Sequence, residues 1–165
     1  MHSRRKGIAA ILAVMLLNTA CIRPQAAGVP PVADLQQAAH QAGQACIPLL
    51  LEFAASGCEY CRLLEVEILN PTLLNDDYDR RVLMRKLVID RSGKLRDFNG
   101  AAVSAGELSS RYRIFVTPTL LFVDSQGREL AERLTGVTTL ELYGGYLDQA
   151  IDRSREKLRE MGHCK

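Results

Sequence analysis

Apolar and polar residues follow each other along the chain in patterns that predict helices and strands in turn. Helix-favouring residues fill positions 34–45, and Asp34 stands where a helix N-cap is expected. Three apolar runs of strand length are predicted to be β-strands, at residues 47–55, 82–90 and 117–124. The first run, IPLLLEFAA, is interrupted only by Glu52, which predicts a strand that is buried on both faces.

The segments between and after these strands complete an α/β pattern. A helix is predicted to begin with the segment CRLLEVEIL and to end or kink at Asn70-Pro71. Four further elements are predicted: a helical piece at 72–81, a short helix at 106–114, a strand at 128–136 and a closing helix at 138–161. Thr138 and Glu141 fit a capping box for the closing helix. This order predicts an α/β fold with a central mixed β-sheet flanked by helices.

The N-terminus has the pattern of a secretory signal. Basic residues at 4–6 precede the apolar run IAAILAVMLL at 8–17, which is too short for a comfortable transmembrane helix. Two cleavage routes fit the sequence. One lies before Cys21, which would then carry lipid as in bacterial lipoproteins, and the other follows small residues that end at Gly28. Both routes predict a periplasmic or exported protein, and the first adds a lipid anchor in the membrane.

Four segments are predicted from these signals: a signal peptide and the start of a linker at 1–28, the rest of the linker and an N-terminal helix at 29–45, a folded domain at 46–162 and a tail at 163–165. The linker is indicated by the three prolines of RPQAAGVPPVA.

Charge and cysteine content narrow the class of protein. The 165-residue chain has a net charge of +2, but residues 1–20 hold three of its 21 basic residues and no acidic residue. The 18 basic and 19 acidic residues that remain are nearly balanced, which argues against a nucleic-acid partner. Disulfides persist outside the cytosol. Cys46 and Cys164 are therefore expected either to stay single or to bridge each other and tie down the last helix.

The segment SGCEYCRLLE holds Cys58 and Cys61 at the predicted junction of a strand and a helix. A redox-active dithiol, half of a zinc site and an inert structural disulfide all fit this spacing. A zinc site usually needs a second CxxC or a histidine pair, and the sequence repeats no such spacing, so no metal site is predicted. The free N–H groups of a helix N-terminus favour a thiolate. Cys58 is therefore the expected nucleophile, and Cys61 the more buried resolving thiol.

Two distant features favour the redox dithiol. Glu52 is an acid within an apolar strand, and burial would raise its pKa so that it could exchange a proton with the resolving thiol. Lys86, in the next predicted strand, is its expected partner. A cis bond at Thr117–Pro118 is expected beside the sulfurs, where it would leave the Thr117 backbone free to pair with an extended substrate.

These residues together resemble the thioredoxin superfamily over residues 45–155. LLLEFAASGCEYCR is similar to the family's strand, loop and CxxC, KLVID to its central strand, Pro118 to its cis-proline and Gly136 to a glycine before its last helix. The exported start and CRLLEVEILNPTLLND are most similar to periplasmic thioredoxin-like proteins, including those linked to sulfur oxidation. The resemblance implies a thioredoxin-like fold and four functional residues: the redox pair Cys58 and Cys61, the buried acid Glu52 and the lysine Lys86.

The sequence departs from thioredoxin beside the first cysteine. Gly57 stands where thioredoxins carry Trp, and Glu59-Tyr60 replaces Gly-Pro. The charge of Glu59 is expected to raise the pKa of Cys58 and to disfavour a strongly oxidising potential. The predicted substrate-binding surface consists of Gly57, Glu59, Tyr60, Thr117 and Pro118.

The expected function is that of an exported thiol-disulfide oxidoreductase. Its expected substrates are protein disulfides, its electron donor is a membrane thiol reductase, and it needs no cofactor besides the Cys58–Cys61 disulfide. A monomer is expected. The alternative is a thioredoxin-fold module that binds a metal or a thiol without turnover, and a third interpretation is a structural lipoprotein with a static disulfide.

Overall fold

The structure is a computed structural model that describes residues 28–162. The predicted signal peptide, the candidate lipidation site at Cys21 and the tail with Cys164 lie outside the described residues. Within residues 28–162, no helix is both long enough and apolar enough to cross a membrane.

Strands and helices alternate along the described residues. The strands are β1 (Leu49–Ala54), β2 (Leu83–Val88), β3 (Leu95–Arg96), β4 (Ala102–Val103), β5 (Thr119–Val123) and β6 (Leu134–Thr135). The α-helices are α1 (Leu35–Gln44), α2 (Glu59–Leu64), α3 (Asn70–Leu73), α4 (Ala105–Arg111) and α5 (Leu140–Glu160). A π-helical turn at Glu65–Leu69 joins α2 to α3, and a 3₁₀ turn at Asp76–Arg80 follows α3.

The central sheet has the strand order β2–β1–β5–β6. β1 pairs in parallel with β2 and antiparallel with β5, and β5 pairs antiparallel with β6. Every residue of β1 is buried, because helices cover both faces of the sheet. The predicted mixed sheet flanked by helices is confirmed. The N-cap of α1 is also confirmed, since the Gln37 N–H donates to the Asp34 carboxylate over 2.8 Å.

An apolar cluster covers each face of the sheet. Leu49 and Leu51 of β1 lie in the cluster that includes α1, whereas Leu50 lies in the cluster that includes Leu64 of α2 and Leu147 of α5. Successive side chains of a strand point to opposite faces. Glu52, two residues after Leu50, therefore lies on the face that α2 and α5 cover. This places the acid of β1 under the helix that carries the two cysteines.

The proline-rich segment before α1 packs against the sheet, which differs from the predicted linker. The Lys86 N–H donates to the Pro30 carbonyl over 2.8 Å, and the Val32 N–H donates to the Lys86 carbonyl over 3.1 Å. Val29 is buried. The physical reason is that β2 is at the edge of the sheet, and this segment satisfies the backbone groups along its outer side.

The prediction of one continuous strand at 128–136 is wrong. Its start pairs with β5 only through an isolated bridge between Val123 and Glu129, and regular pairing returns only at the two residues of β6. The sequence also failed to predict the small antiparallel pair of β3 and β4. Each of these strands has only two residues, which is too short for a period-2 pattern to be recognised.

The helix that begins at the CxxC motif does not end at Asn70-Pro71. It continues into α3 through the π-helical turn, in which the Asn70 N–H donates to the Glu65 carbonyl. Pro71 lies in the first turn of α3, where its missing N–H is tolerated. The capping box predicted for α5 is wrong, because the N-cap is Thr139 and its side chain makes no capping hydrogen bond.

Candidate active site

The two cysteines of the CxxC motif form a disulfide at the junction of β1 and α2. Cys58 is the N-cap of α2, and its Sγ accepts a hydrogen bond from the Cys61 N–H over 3.1 Å. Cys58 is half-buried, whereas only 3% of Cys61 is exposed. A backbone N–H that points at a sulfur favours its thiolate. The arrangement therefore suits Cys58 to attack a substrate and Cys61 to react only within the protein.

The loop before Cys58 is held by Asp90, two residues after the end of β2. The Ser56 N–H donates to both carboxylate oxygens of Asp90, over 2.9 and 3.1 Å, and this lowers the pKa of Asp90. Gly57 has a φ of 70°, in the left-handed region that glycine adopts most readily. A glycine at position 57 thus has a local structural reason, besides its predicted place in the substrate-binding surface.

The loop before β5 lies beside the sulfurs. The Thr117–Pro118 peptide bond is cis, and the Thr117 hydroxyl is 3.6 Å from Cys58 Sγ, to which it donates. The Gly136 N–H donates to the Pro118 carbonyl over 2.8 Å and ties this loop to the end of β6. Strand pairing of β5 with β1 begins only at Thr119. The backbone of Thr117 therefore lies next to Cys58 and outside the ladder of the sheet.

Glu52 is fully buried in the middle of β1. Neither of its carboxylate oxygens has a hydrogen-bond partner within residues 28–162. Burial, and to a smaller extent the nearby charge of Glu65, raise the pKa of Glu52 to about 8, although the charge of Lys86 acts in the opposite direction. A carboxyl group with such a pKa can both accept and donate a proton near neutral pH.

The predicted ion pair between Glu52 and Lys86 is wrong. The two residues are directly opposite each other in the pairing of β1 with β2, but the Lys86 ammonium group donates to both oxygens of Glu65, over 2.8 and 2.9 Å. The Glu65 side chain keeps 16% of its surface exposed. An ion pair at the edge of the core loses less hydration than one with the fully buried Glu52, so Lys86 pairs with Glu65.

Glu65 and Asp90 are site residues that the sequence analysis missed. Glu65 is four residues after Cys61, and this spacing puts both side chains on one side of a helical segment. That signal could have identified Glu65. Asp90 is the last residue of the second predicted core strand, and no pattern in the sequence predicts that its carboxylate holds the loop at Ser56.

The variable residues of the motif face solvent. Tyr60 is 61% exposed, and Glu59 forms an exposed ion pair with Arg62 over 3.0 Å. The Glu59 charge beside Cys58 therefore has the opposite charge of Arg62 as an exposed neighbour. Phe115 and Val116, just before Thr117, are also exposed apolar residues. They were not singled out in the sequence.

An open cleft of about 460 Å³ lies beside the disulfide. It is bordered by both cysteines, Gly57 and Arg62, and also by Glu65 and Lys86. The ion pair of Glu65 and Lys86 is thus accessible from the cleft that reaches the sulfurs.

The two charges beside Glu52 are expected to shift its titration in opposite directions. Glu65→Gln removes a negative charge and should lower the pKa of Glu52, whereas Lys86→Met removes a positive charge and should raise it, each by about one unit. ¹³C NMR titration of the glutamate carboxyl groups, in the disulfide form, measures both shifts. Glu67→Gln, at an exposed position of the same helical segment, is the matched control. Shifts of the same sign in the two variants would contradict the electrostatic arrangement.

Known proteins resemble this chain in sequence pattern and fold. A family model described as a thioredoxin-like domain matches residues 35–151. The X-ray structure of Fasciola hepatica thioredoxin is 17% identical, with a TM-score of 0.50, and covers 76% of this chain and 99% of its own. The germline-specific thioredoxin Deadhead of Drosophila melanogaster is 19% identical, with a TM-score of 0.49, over 73% of this chain and 98% of its own. A comparison with curated protein sequences gave no match. Because the family model spans most of the sequence, the chain belongs to the thioredoxin-like family, and its Cys58–Cys61 disulfide makes it a thiol-disulfide oxidoreductase.

Proposed function

We propose that this protein is an exported thiol-disulfide oxidoreductase that reduces or exchanges disulfides in other proteins. The observation that carries the proposal is the placement of the disulfide: Cys58 is half-buried at the start of a helix, and Cys61 is buried behind it. A static structural disulfide does not need this difference between its two sulfurs.

The reduced form carries out the reaction in two exchange steps. The Cys58 thiolate attacks one sulfur of the substrate disulfide, the substrate S–S bond breaks, and the departing thiolate takes up a proton. Cys61 then gives its proton to the Glu52 carboxylate and attacks Cys58 Sγ. This releases the second substrate thiol and leaves the Cys58–Cys61 disulfide, so that two electrons have passed to the substrate. A dithiol donor, proposed to be a membrane thiol reductase, restores the reduced form by the same exchange.

The substrate is proposed to bind as an extended segment along Thr117. This residue is beside Cys58 and precedes the paired part of β5, so its backbone can receive another strand. Exposed Tyr60 and Phe115 offer apolar contact on the same surface as the motif and the Thr117 loop. Exchange with a disulfide in a protein segment needs these contacts, since the sulfur that is attacked must reach Cys58.

Several other features of the proposal depend on the sequence alone. The signal pattern supports a periplasmic location, and Cys21 supports a lipid anchor. The nearly balanced charge supports protein substrates over nucleic acid. We also propose a monomer that uses no cofactor besides its disulfide. Glu59, beside Cys58, supports a reductase rather than a strong oxidant, because negative charge disfavours the thiolate of the reduced form.

A trapping experiment with the full chain tests the function. Cys61→Ala removes the resolving thiol, so mixed disulfides between Cys58 and envelope proteins should accumulate on non-reducing gels. The matched control is the Cys58→Ala, Cys61→Ala double variant, which should trap nothing. In parallel, the unsubstituted protein should accelerate the reduction of insulin by dithiothreitol, and Cys58→Ser should return the rate to background.

The proposal is wrong if Cys61→Ala traps no partner and the unsubstituted protein does not accelerate the reduction of insulin. Stoichiometric zinc or copper on the reduced protein, together with these two negative results, would instead support the binding module without turnover.

A further inference from the structure

Three of the buried polar atoms without a hydrogen-bond partner belong to two side chains on one face of the sheet. Within residues 28–162, both carboxylate oxygens of Glu52 and the hydroxyl of Tyr143 are unpartnered, and the only other such atom is Oδ1 of Asn70. Glu52 is fully buried and Tyr143 is 4% exposed. Buried polar groups are normally hydrogen-bonded, so two that share a face call for a common explanation.

The fold places Tyr143 next to the acid. Tyr143 lies in the first turn of α5 and belongs to the same apolar cluster as Leu50 and Leu120. Leu50 precedes Glu52 by two residues on β1, and Leu120 is opposite Glu52 on β5. Tyr143 therefore packs against the part of the sheet from which the Glu52 side chain projects. In accord with this position, burial and then the charge of Glu52 raise the pKa of Tyr143.

The groups around Glu52 differ in whether they can donate a hydrogen bond to its carboxylate. Glu65, from the π-helical turn, is an anion that repels the Glu52 charge, and the ammonium group of Lys86, on β2, already donates to Glu65. Cys61, on α2, is held in the disulfide in this form. From β5, the residue opposite is the apolar Leu120. The neutral hydroxyl of Tyr143, from α5, is thus a donor without a competing bond.

We propose that Tyr143 is a positioning residue for the active-site acid: its hydroxyl donates to one buried water, and this water donates a hydrogen bond to the ionised Glu52 carboxylate. When Glu52 takes up a proton, the carboxyl group donates to the same water, which donates to the Tyr143 oxygen, so the pair is satisfied in both states. Tyr143 thereby sets the pH at which Glu52 exchanges its proton.

Tyr143 also borders an open cavity. This cavity has a volume of about 270 Å³, and Thr135, Gly136 and the exposed Tyr146 line it as well. In this proposal the Glu52 proton exchanges with solvent along the side of the sheet that Tyr143 covers. The catalytic use of that proton rests on the proposed function, but the hydrogen bond itself does not.

The test uses the disulfide form, in which neither active-site thiol titrates. The Glu52 carboxyl signal in ¹³C-glutamate-labelled protein is assigned by its loss in Glu52→Gln. Its midpoint should lie near pH 8 in the unsubstituted protein. Tyr143→Phe removes only the hydroxyl that stabilises the ionised form, so the midpoint should rise by about one pH unit. Tyr146→Phe, which changes the same cavity without facing Glu52, should leave the midpoint unchanged.

A midpoint that stays or falls in folded Tyr143→Phe overturns the proposal, and thermal unfolding checks that this variant is folded. The unsubstituted protein gives a second reading. The ¹³Cζ signal of Tyr143 should shift with the Glu52 midpoint, and this shift should vanish in Glu52→Gln. A Tyr143 signal that does not respond overturns the proposal even if the variant fails to fold. Since no step of these titrations needs a substrate, their failure would leave the redox function standing.

Discussion

Iodoacetamide is expected to label Cys58 of the reduced protein on the order of 100-fold faster than Cys61, because reaching the buried thiol needs a local opening of about 3 kcal/mol. Cys58 is half-buried at the helix start, whereas 3% of Cys61 is exposed. The Cys61 N–H also points at Cys58 Sγ and favours its thiolate. This asymmetry is the chemical basis for an attacking and a resolving thiol.

The rates are best measured in two single variants, Cys61→Ser for the first thiol and Cys58→Ser for the second. The other cysteines of each variant also react with iodoacetamide, so fragment-ion mass spectrometry follows the label at the remaining cysteine of the motif with time. Arg62 directly follows Cys61, so tryptic cleavage leaves Cys58 and Cys61 in one peptide, and separate variants are needed. Equal labelling rates would refute the assigned division between the two thiols.

Stability is expected to depend strongly on pH through Glu52. Its pKa is about 8 in the folded disulfide form, against 4.5 as the reference for an exposed glutamate. The folded pKa is above the unfolded one, so the stabilisation is fully present below about pH 4.5 and is lost as the pH rises through 8. The loss amounts to roughly 5 kcal/mol by pH 9, at about 1.4 kcal/mol for each unit of difference.

Glu52→Gln isolates this effect, since glutamine has the same shape and does not titrate. The free energy of unfolding of Glu52→Gln relative to the unsubstituted protein should rise by roughly 5 kcal/mol between pH 4 and pH 9. Denaturant unfolding of the disulfide form measures it at each pH. Glu67→Gln, at an exposed position, should show no such change. A difference for Glu52→Gln that is flat with pH would mean that folding leaves the pKa of the carboxyl group unchanged, which contradicts the prediction.

Local sequence signals predicted the elements that carry the chemistry. The apolar run around Glu52 predicted β1, and the two cysteines at its end predicted the start of a helix. These signals succeed because a strand that is buried on both faces and the start of a helix each produce a pattern among residues that are neighbours in the sequence. The prediction for the charged segment at 128–136 was less accurate. Its alternation predicted one strand, but it pairs with β5 only at Glu129 and then at Leu134–Thr135, and the length of such pairing is not recorded in a local pattern.

The contacts among distant residues could not be predicted in the same way. Lys86 was correctly placed opposite Glu52, yet its ammonium group pairs with Glu65. Whether Lys86 pairs with Glu52 or with Glu65 depends on how well each carboxylate is hydrated in the folded protein. No single segment of the sequence contains that information. The packing of residues 29–33 against β2 and the packing of Tyr143 against the sheet likewise depend on the folded protein.

The sequence by itself determined the α/β order of elements, the CxxC motif at a strand-to-helix junction and the presence of an acid within a buried strand. Those features depend on residues that are close in the chain. Only the tertiary structure decided which charges surround Glu52, which backbone lies beside Cys58 and which side chains remain unpartnered. The reason is physical: hydrogen bonds and ion pairs between distant segments depend on distances and burial that exist only once the helices have packed on the sheet.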